Sequence, residues 1–473
     1  MKEFSIFLIV FCYSLISASA QSLEIDKMLG AESAKSVEAE MGIYNDDELT
    51  EYIASIGQRL VSHLDKSLFE YKFYVVDDPI PNAFATPGGY VYVTRGILSI
   101  IVNEDELACV MAHEIIHAQN RHSVKQMGNS ILPKLLELPG RIVGQVINED
   151  IGRILTAPIA TSNSLLLASY SRSHEKEADE EGVTLASKAG YDPDAMKSIL
   201  LRLSKSMEIL TSQKETKGYF NDHPYTPDRL ESITKTSVKL DWETKDKVSS
   251  NFPQPLNSLL FGVNPEKGLF EGNTFIHPTM NFSFQFPDDW HTENKPTSVN
   301  GMNKDQSAAL FLGLDDASKS PQALAEEFIA GIEKEHGVKP IFSDHSKINN
   351  YDGYLVSYLD KSDKKQMYIH TLWLKMDGKI FKVIGIGPKS AKDELKRSVL
   401  SFHPLTEKEK STIKKQLIRV VESKADEKFD QICKRYNCVI SSELTAFING
   451  MNPTSKLKEG TLVKLIVEES YFN

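Results

Sequence analysis

An excess of basic charge is the first thing this sequence lacks. Its 473 residues hold 54 Lys and Arg against 65 Asp and Glu, a formal charge of -11. Phosphate contacts need a basic face, so nucleic acid is not an expected partner. Cysteine is scarce too, with four residues in all. Cys12 falls in a leader-like stretch, and Cys109, Cys433 and Cys438 form neither a disulfide framework nor a CxxC metal pair. Export would permit a Cys433 to Cys438 bridge, although five residues apart on one helix the side chains point in different directions. There is no internal repeat and no low-complexity tract. Past the first twenty residues, no run reaches the roughly 20 apolar residues that span a bilayer.

What is there describes a folded chain. Hydrophobic residues make up 41% and charged residues 25%, which excludes the disordered and fibrous classes, and the length predicts two or three domains. Lys2, the apolar stretch Phe4 to Ile16 and the small residues Ala18-Ser19-Ala20 read as a secretory signal peptide over residues 1–20, cut near Gln21. The expected location is therefore exported, periplasmic or extracellular, and soluble or peripheral to the envelope.

The patterning predicts an α+β protein. Residues 21–240 read as mostly helical with one strand region, Tyr71 to Thr94, and residues 241–273 as a linker rich in Pro and Gly. Residues 274–404 read as a second α+β domain with an antiparallel sheet, to which no role is assigned. Residues 413–468 read strand, helix, helix, strand, a small separate module.

The chemistry concentrates in the first domain. Leu107, Val110, Met111, Ile115 and Ala118 mark one face of a helix over Glu106 to Asn120, with Asn103 and Glu106 placed to form a capping box. On it lies His113-Glu114-Ile115-Ile116-His117, two imidazoles one turn apart with a carboxylate beside them. That arrangement suits one zinc ion and a base for its water, or else two structural histidines. A catalytic zinc needs a third protein ligand. Ser171 to Asp179 offers Glu175 and Asp179 on one helix face, with His174 and Glu177 as rivals, unless this run is simply a solvated acidic face. Cys109 precedes His113 by one turn, but three ligands on successive turns of one helix cannot converge on a tetrahedral ion, so it reads as core.

These motifs resemble the gluzincin family that contains the CAAX prenyl protease, HtpX and BepA, and more closely its soluble, exported branch. The resemblance covers about Leu23 to Leu230 and rests on Asn82-Ala83-Phe84-Ala85 with Pro87-Gly88-Gly89, His113 to His117, Glu175 to Asp179, and His223-Pro224 with Arg229. It implies a metalloendopeptidase with His113, His117 and Glu175 as ligands of one zinc. Glu114 becomes the catalytic base, and Asp179 the acceptor of a ligand imidazole's outer N–H. His223 is implied to approach and gate the metal or to help bind the oxyanion, and Arg229 either does the latter or pairs with a carboxylate. Gly88, Gly89, Tyr90, Val91 and Tyr92 are expected at the upper edge of the cleft, where an extended substrate adds as a strand. Unfolded or misassembled envelope proteins are the expected substrates, in protein quality control. The alternative is a chaperone-like or scaffolding factor whose protease is gated. The last module resembles LysM-like domains through Leu457-Lys458-Glu459-Gly460 and Val463-Lys464-Leu465, which implies peptidoglycan as a partner. Nothing in the sequence sets an oligomeric state.

Overall fold

A computed structural model describes residues 23–130, 169–211, 219–224, 227–243, 251–360 and 366–472. The expected signal peptide and most of the segment between the two ligand motifs lie outside the described residues. The architecture is α+β, and the chain divides into two compact units.

The first unit is built around one buried helix. Helices α1 (23–40) and α2 (Asp47–Val61) lead into three strands, β1 (Lys72–Val76), β2 (Ala83–Thr86) and β3 (Tyr90–Thr94), and then into α3 (Arg95–Ile100) and α4 (Glu104–Gln119). Asn103 caps α4, its side chain accepting from Glu106 N, and Glu104, Asp105 and Glu106 place negative charge at the positive end of the helix dipole. The expected capping box is half made: Glu106 accepts from Val102 N and from Arg202 instead of returning to Asn103. Fourteen of the sixteen α4 residues are buried. A helix enclosed on every side can hold His113, Glu114 and His117 rigidly, and all three are fully buried.

The small sheet corrects one expectation. Its order is β1-β3-β2, with β3 parallel to β1 and antiparallel to β2. Tyr90, Val91 and Tyr92 thus sit in the central strand, where the backbone groups on both sides are already paired, and cannot receive a substrate strand. Gly88 and Gly89 form the turn between β2 and β3 at φ +80 and +91, and a Cβ on Gly89 would come within 2.8 Å of Phe69 Cβ. Their role is to turn the chain. The sheet's edge strands are β1 and β2, and β1 is met at one end by the bridge between Ile43 and Val76.

After α5 (His122–Ser130) come α6 (Arg172–Lys188), α7 (Ala195–Thr211), the one-turn α8 (Tyr219–Asp222) and α9 (Pro227–Ser237). The tail does not stand apart as a separate module, since residues 415–469 fall in this same unit. It has the expected order of strand Lys414–Glu422, helices Phe429–Tyr436 and Ser442–Ile448, and strand Leu462–Ser470. Alternation along the last strand explains the docking. Val463 and Leu465 pack on Phe429, Ile432 and Ala446, whereas Ile466 joins the core around α4. Lys464, 1% exposed, donates to Ser99 O at 2.7 Å and Ile101 O at 2.5 Å, carbonyls left open where α3 ends. Cys433 and Cys438 are both free thiols. Asn437, left-handed at φ 54, ends the helix between them and bends Cys438 back so that its N–H donates to Cys433 O.

The second unit spans residues 264–414 and 470–473. A seven-stranded sheet, antiparallel throughout, runs in the order Phe342–Ile348, Tyr351–Asp360, Met367–Met376, Lys379–Pro388, Ala309–Asp315, Ser298–Met302 and His291–Lys295. One face packs on the helix Pro321–His336 through Leu324, Ala325, Tyr358 and Trp373. The other packs through Leu310, Leu372 and Val383 on Phe275, Phe284 and Leu395, which come from a four-stranded sheet and the helix Lys392–Val399. Ser320 at the N-cap, Pro321 in the first turn and left-handed Gly337 at the C-cap set the two ends of the helix Pro321–His336.

Burial pushes the Lys464 ammonium down to about 7. An unfolded lysine titrates near ~10.4, so unfolding takes up a proton between about pH 7 and 10, and stability from this group rises with pH across that window. The unfolding free energy of the wild type minus that of Lys464→Met should therefore grow by up to about 1.4 kcal/mol per pH unit there. Denaturant titrations at several pH values measure it, and a flat difference would mean that Lys464 keeps its proton.

Candidate metal centre

Four donor atoms converge from three segments. His113 and His117 come from α4, Glu175 from α6, and His223 from the end of α8. His117 Nε2 lies 3.0 Å from His113 Nε2 and 3.3 Å from Glu175 Oε1. His223 Nδ1 lies 3.0 Å from Glu175 Oε1 and 3.3 Å from His113 Nε2. A tetrahedral zinc with bonds near ~2.05 Å separates its ligands by about 3.3 Å, so the cluster has the spacing of one ion's coordination shell. All four side chains are buried, and their nitrogen and oxygen donors are the borderline ligands that zinc takes. The residues present fit the metal.

Electrostatics prepares them for it. Burial lowers both His113 and His117, leaving neutral imidazoles with lone pairs to give. Burial would raise Glu175, but His223 and a hydrogen bond with His117 outweigh it and hold this carboxylate well below its ordinary range. For Glu114 burial wins over the opposing pull of His223 and pushes the carboxyl up to about 8. Its Oε1 lies 3.4 Å from His223 Nε2. Burial works against the charged form of His223, yet Glu114 and Glu175 on either side outweigh it and raise the ring to about 9.

The surrounding residues hold the donors in place. Asp179 Oδ1 lies 3.1 Å from His113 Nδ1, the outer-nitrogen partnership that orients a ligand ring. Arg229 grips the same carboxylate bidentately, with Nε and Nη2 each at 2.8 Å. Its Nη1 donates to His223 O and lies 2.9 Å from Glu175 Oε2. With its donors committed behind the ligands, Arg229 is a carboxylate partner and not an oxyanion donor. Glu177 is no ligand: Asn120 Nδ2 donates to it at 2.8 Å, and it faces His122. His174 stacks on His122 with ring centroids 4.4 Å apart. Cys109 is core, donating its thiol to Asp192 O.

Several residues at the centre carry no motif. Tyr170 stacks on His117 at 3.9 Å, Tyr219 on His223 at 4.4 Å, and His122 Nδ1 lies 3.0 Å from His117 Nδ1. Gly182 lets α6 lie against α4, since a Cβ there would sit 3.1 Å from His113 Cα and N. Only Gly182 left a sequence signal, as the one residue without a side chain inside the helix that carries Glu175 and Asp179.

Comparison with known proteins agrees with this geometry. Residues 47–237 match the model of peptidase family M48, a stretch that holds all four donors. This stretch is similar to M48 domains. Domains of this family are zinc metallopeptidases. The chain is 30% identical over 192 residues to the beta-barrel assembly-enhancing protease of Escherichia coli, covering 40% of this chain and 39% of that one. To the mitochondrial metalloendopeptidase OMA1 of Schizosaccharomyces pombe it is 27% identical over 245 residues, covering 49% and 67%. It spans less than half the length of the beta-barrel assembly-enhancing relatives it matches. Among solved structures, the PsbP protein CyanoP from Synechocystis matches 29% of this chain at a TM-score of 0.24 and 10% identity. No helix among the described residues is long and apolar enough to cross a membrane.

The packing of α6 on α4 depends on the contact at Gly182. Gly182→Val should force α6 away from His113, costing about 1–3 kcal/mol as overpacking does and loosening Glu175 and Asp179 together. Chemical unfolding and retained zinc measure the two effects, and a variant unchanged in both would show that the helices have room to spare.

Proposed function

We propose that this chain is a zinc-dependent metalloendopeptidase of the cell envelope that cleaves unfolded or misassembled protein segments, and that His223 closes its resting site. His113, His117 and Glu175 are the ligands in this reading and Glu114 is the base. The observation that carries it is the tetrahedral spacing of the donors with a buried, unpartnered carboxylate beside them.

Zinc bound there supplies a polarised scissile carbonyl and a water of lowered pKa. Glu114 would take a proton from the attacking water as its oxygen bonds to the carbonyl carbon and give it to the amine as the C–N bond breaks, and a carboxyl near 8 suits exchange in both directions around neutrality. His223 offers Nδ1 as a fourth donor, where a catalytic site keeps an open position, and its Nε2 faces the base. The substrate adds to the free edge of β2, by backbone bonding that recognises extension and not sequence. That edge begins beside the element bearing His223. Tyr219 N donates to Pro81 O at 3.1 Å and Asn82 Nδ2 to Asp222 Oδ2 at 3.3 Å, so an arriving strand meets the segment that must shift. The envelope role is supported by the names of the relatives, and peptidoglycan is the partner proposed for the tail. A closed fourth position also favours the second reading, a chaperone-like or scaffolding factor whose protease acts only when gated open.

The test pairs zinc content with cleavage of an unfolded protein by wild type, Glu114→Gln and His223→Ala. One zinc per chain is expected in wild type and Glu114→Gln, with cleavage about 100- to 10,000-fold lower in the latter. His223→Ala should cut faster than wild type; slower cutting would make His223 part of the catalytic machinery. Wild type without zinc would end the peptidase reading. If Glu114→Gln still restores envelope function in a strain lacking the protein, the scaffolding reading is favoured.

A further inference from the structure

Two ligand imidazoles face the place of the ion with Nε2, and each needs something on its far nitrogen to set its tautomer and hold its plane. For His113 that partner is Asp179, in the role that the family resemblance implied for it. For His117 it is a residue with no place in any motif, His122, whose Nδ1 lies 3.0 Å from His117 Nδ1. His122 is fully buried and is reached by an unusual path. Helix α4 ends at Gln119, and Arg121 takes a left-handed conformation at φ 57. A non-glycine residue persists there only when its surroundings over-determine it. Here Asp26, 1% exposed, binds the Arg121 guanidinium through both oxygens, at 3.0 and 2.5 Å. The reversal brings His122 back under the helix it follows.

We propose that His122 is a positioning residue of the metal centre, the middle member of a chain that runs from His117 through His122 to Glu177. Proton placement follows from the chemistry. A neutral His117 that gives its Nε2 lone pair to a metal carries its hydrogen on Nδ1. That N–H donates to His122 Nδ1, which must accept, and so the hydrogen of His122 sits on Nε2. This atom has no hydrogen-bond partner in the fold and lies 3.5 Å from Glu177 Oε2. Glu177 is in turn held by Asn120 Nδ2 at 2.8 Å. Every donor thus faces an acceptor along the chain, and no other assignment of the two rings leaves His117 able to bind through Nε2. The two ligands of the helix motif are served by parallel devices, His113 by Asp179 and Arg229, His117 by His122 and Glu177. The rival ligand Glu177 acquires a role at the far end of the second.

The inference rests on His117 being a metal ligand, and the experiment separates the two claims. Zinc affinity is measured by chelator competition in the full chain, with cobalt substitution to report the symmetry of the site. His122→Phe keeps the ring and loses both nitrogens, and should weaken zinc by about 10- to 100-fold, the usual effect of removing an outer partner of a ligand, with a changed cobalt spectrum. His122→Asn sets an amide near the Nδ1 position and should recover most of that affinity. If wild type binds one zinc and His122→Phe binds it equally tightly with the same spectrum, His122 is only a core residue and the proposal falls while the peptidase reading stands. If wild type binds no zinc, both fall. Should His122→Phe fail to fold, long-range proton–nitrogen spectra of the zinc-loaded wild type decide: His122 protonated at Nε2 is required, and protonation at Nδ1 overturns the chain.

Discussion

The pairing of Asp179 with Arg229 is the interaction on which the metal centre depends. Both side chains are almost wholly buried, and removing two such charges from water costs several kcal/mol per ion before their attraction is counted. Parallel hydrogen bonds offset part of that cost. What the pair contributes beyond stability is placement. Asp179 faces the outer nitrogen of His113, and Arg229 reaches the backbone of His223 and the carboxylate of Glu175. One ion pair therefore touches α4, α6 and the segment bearing His223, the three parts of the chain that supply donors. Shifting any one of them strains the contacts of the other two.

Much of this was legible in the sequence because it is encoded locally. A turn of helix sets His113, Glu114 and His117 in fixed relation whatever the fold around them, and the same holds for Glu175 and Asp179. The helix pattern over Pro321–His336 carries its own caps. What failed to show was set by contacts between distant residues. Tyr90 to Thr94 reads as a strand in either case, and only its pairing with both Lys72–Val76 and Ala83–Thr86 makes it central and unavailable to a substrate. His122 is five residues beyond His117, a spacing that faces away on a continuous helix. It faces inward only because Arg121 reverses the chain, and Arg121 does so against a carboxylate some ninety residues earlier. Lys464 is a second case. Alternation with Val463 and Leu465 puts this lysine on the opposite face of its strand, and only contacts with a distant helix make that face a cap for the open carbonyls of α3 inside the core.

In the proposed function, the peptide-bond chemistry and its restraint meet in one side chain. Among the described residues, both oxygens of Glu114, Nε2 of His223 and the hydroxyl of Tyr219 are buried without hydrogen-bond partners. Each such group costs about 1–3 kcal/mol relative to a satisfied one, so a fold selected for stability alone would not gather four of them in one place. Their arrangement has a use. An unpartnered carboxylate pushed toward neutrality is ready to exchange a proton with a water, and such a water needs both a vacant coordination position and a free base. His223 stands in the way of both, its Nδ1 among the donors and its Nε2 turned to Glu114. Withdrawing one ring would open the metal and release the base in a single movement. In the proposed reading such a site stays closed until α8 moves, and α8 is tied to the start of β2, the strand edge proposed to take an extended chain.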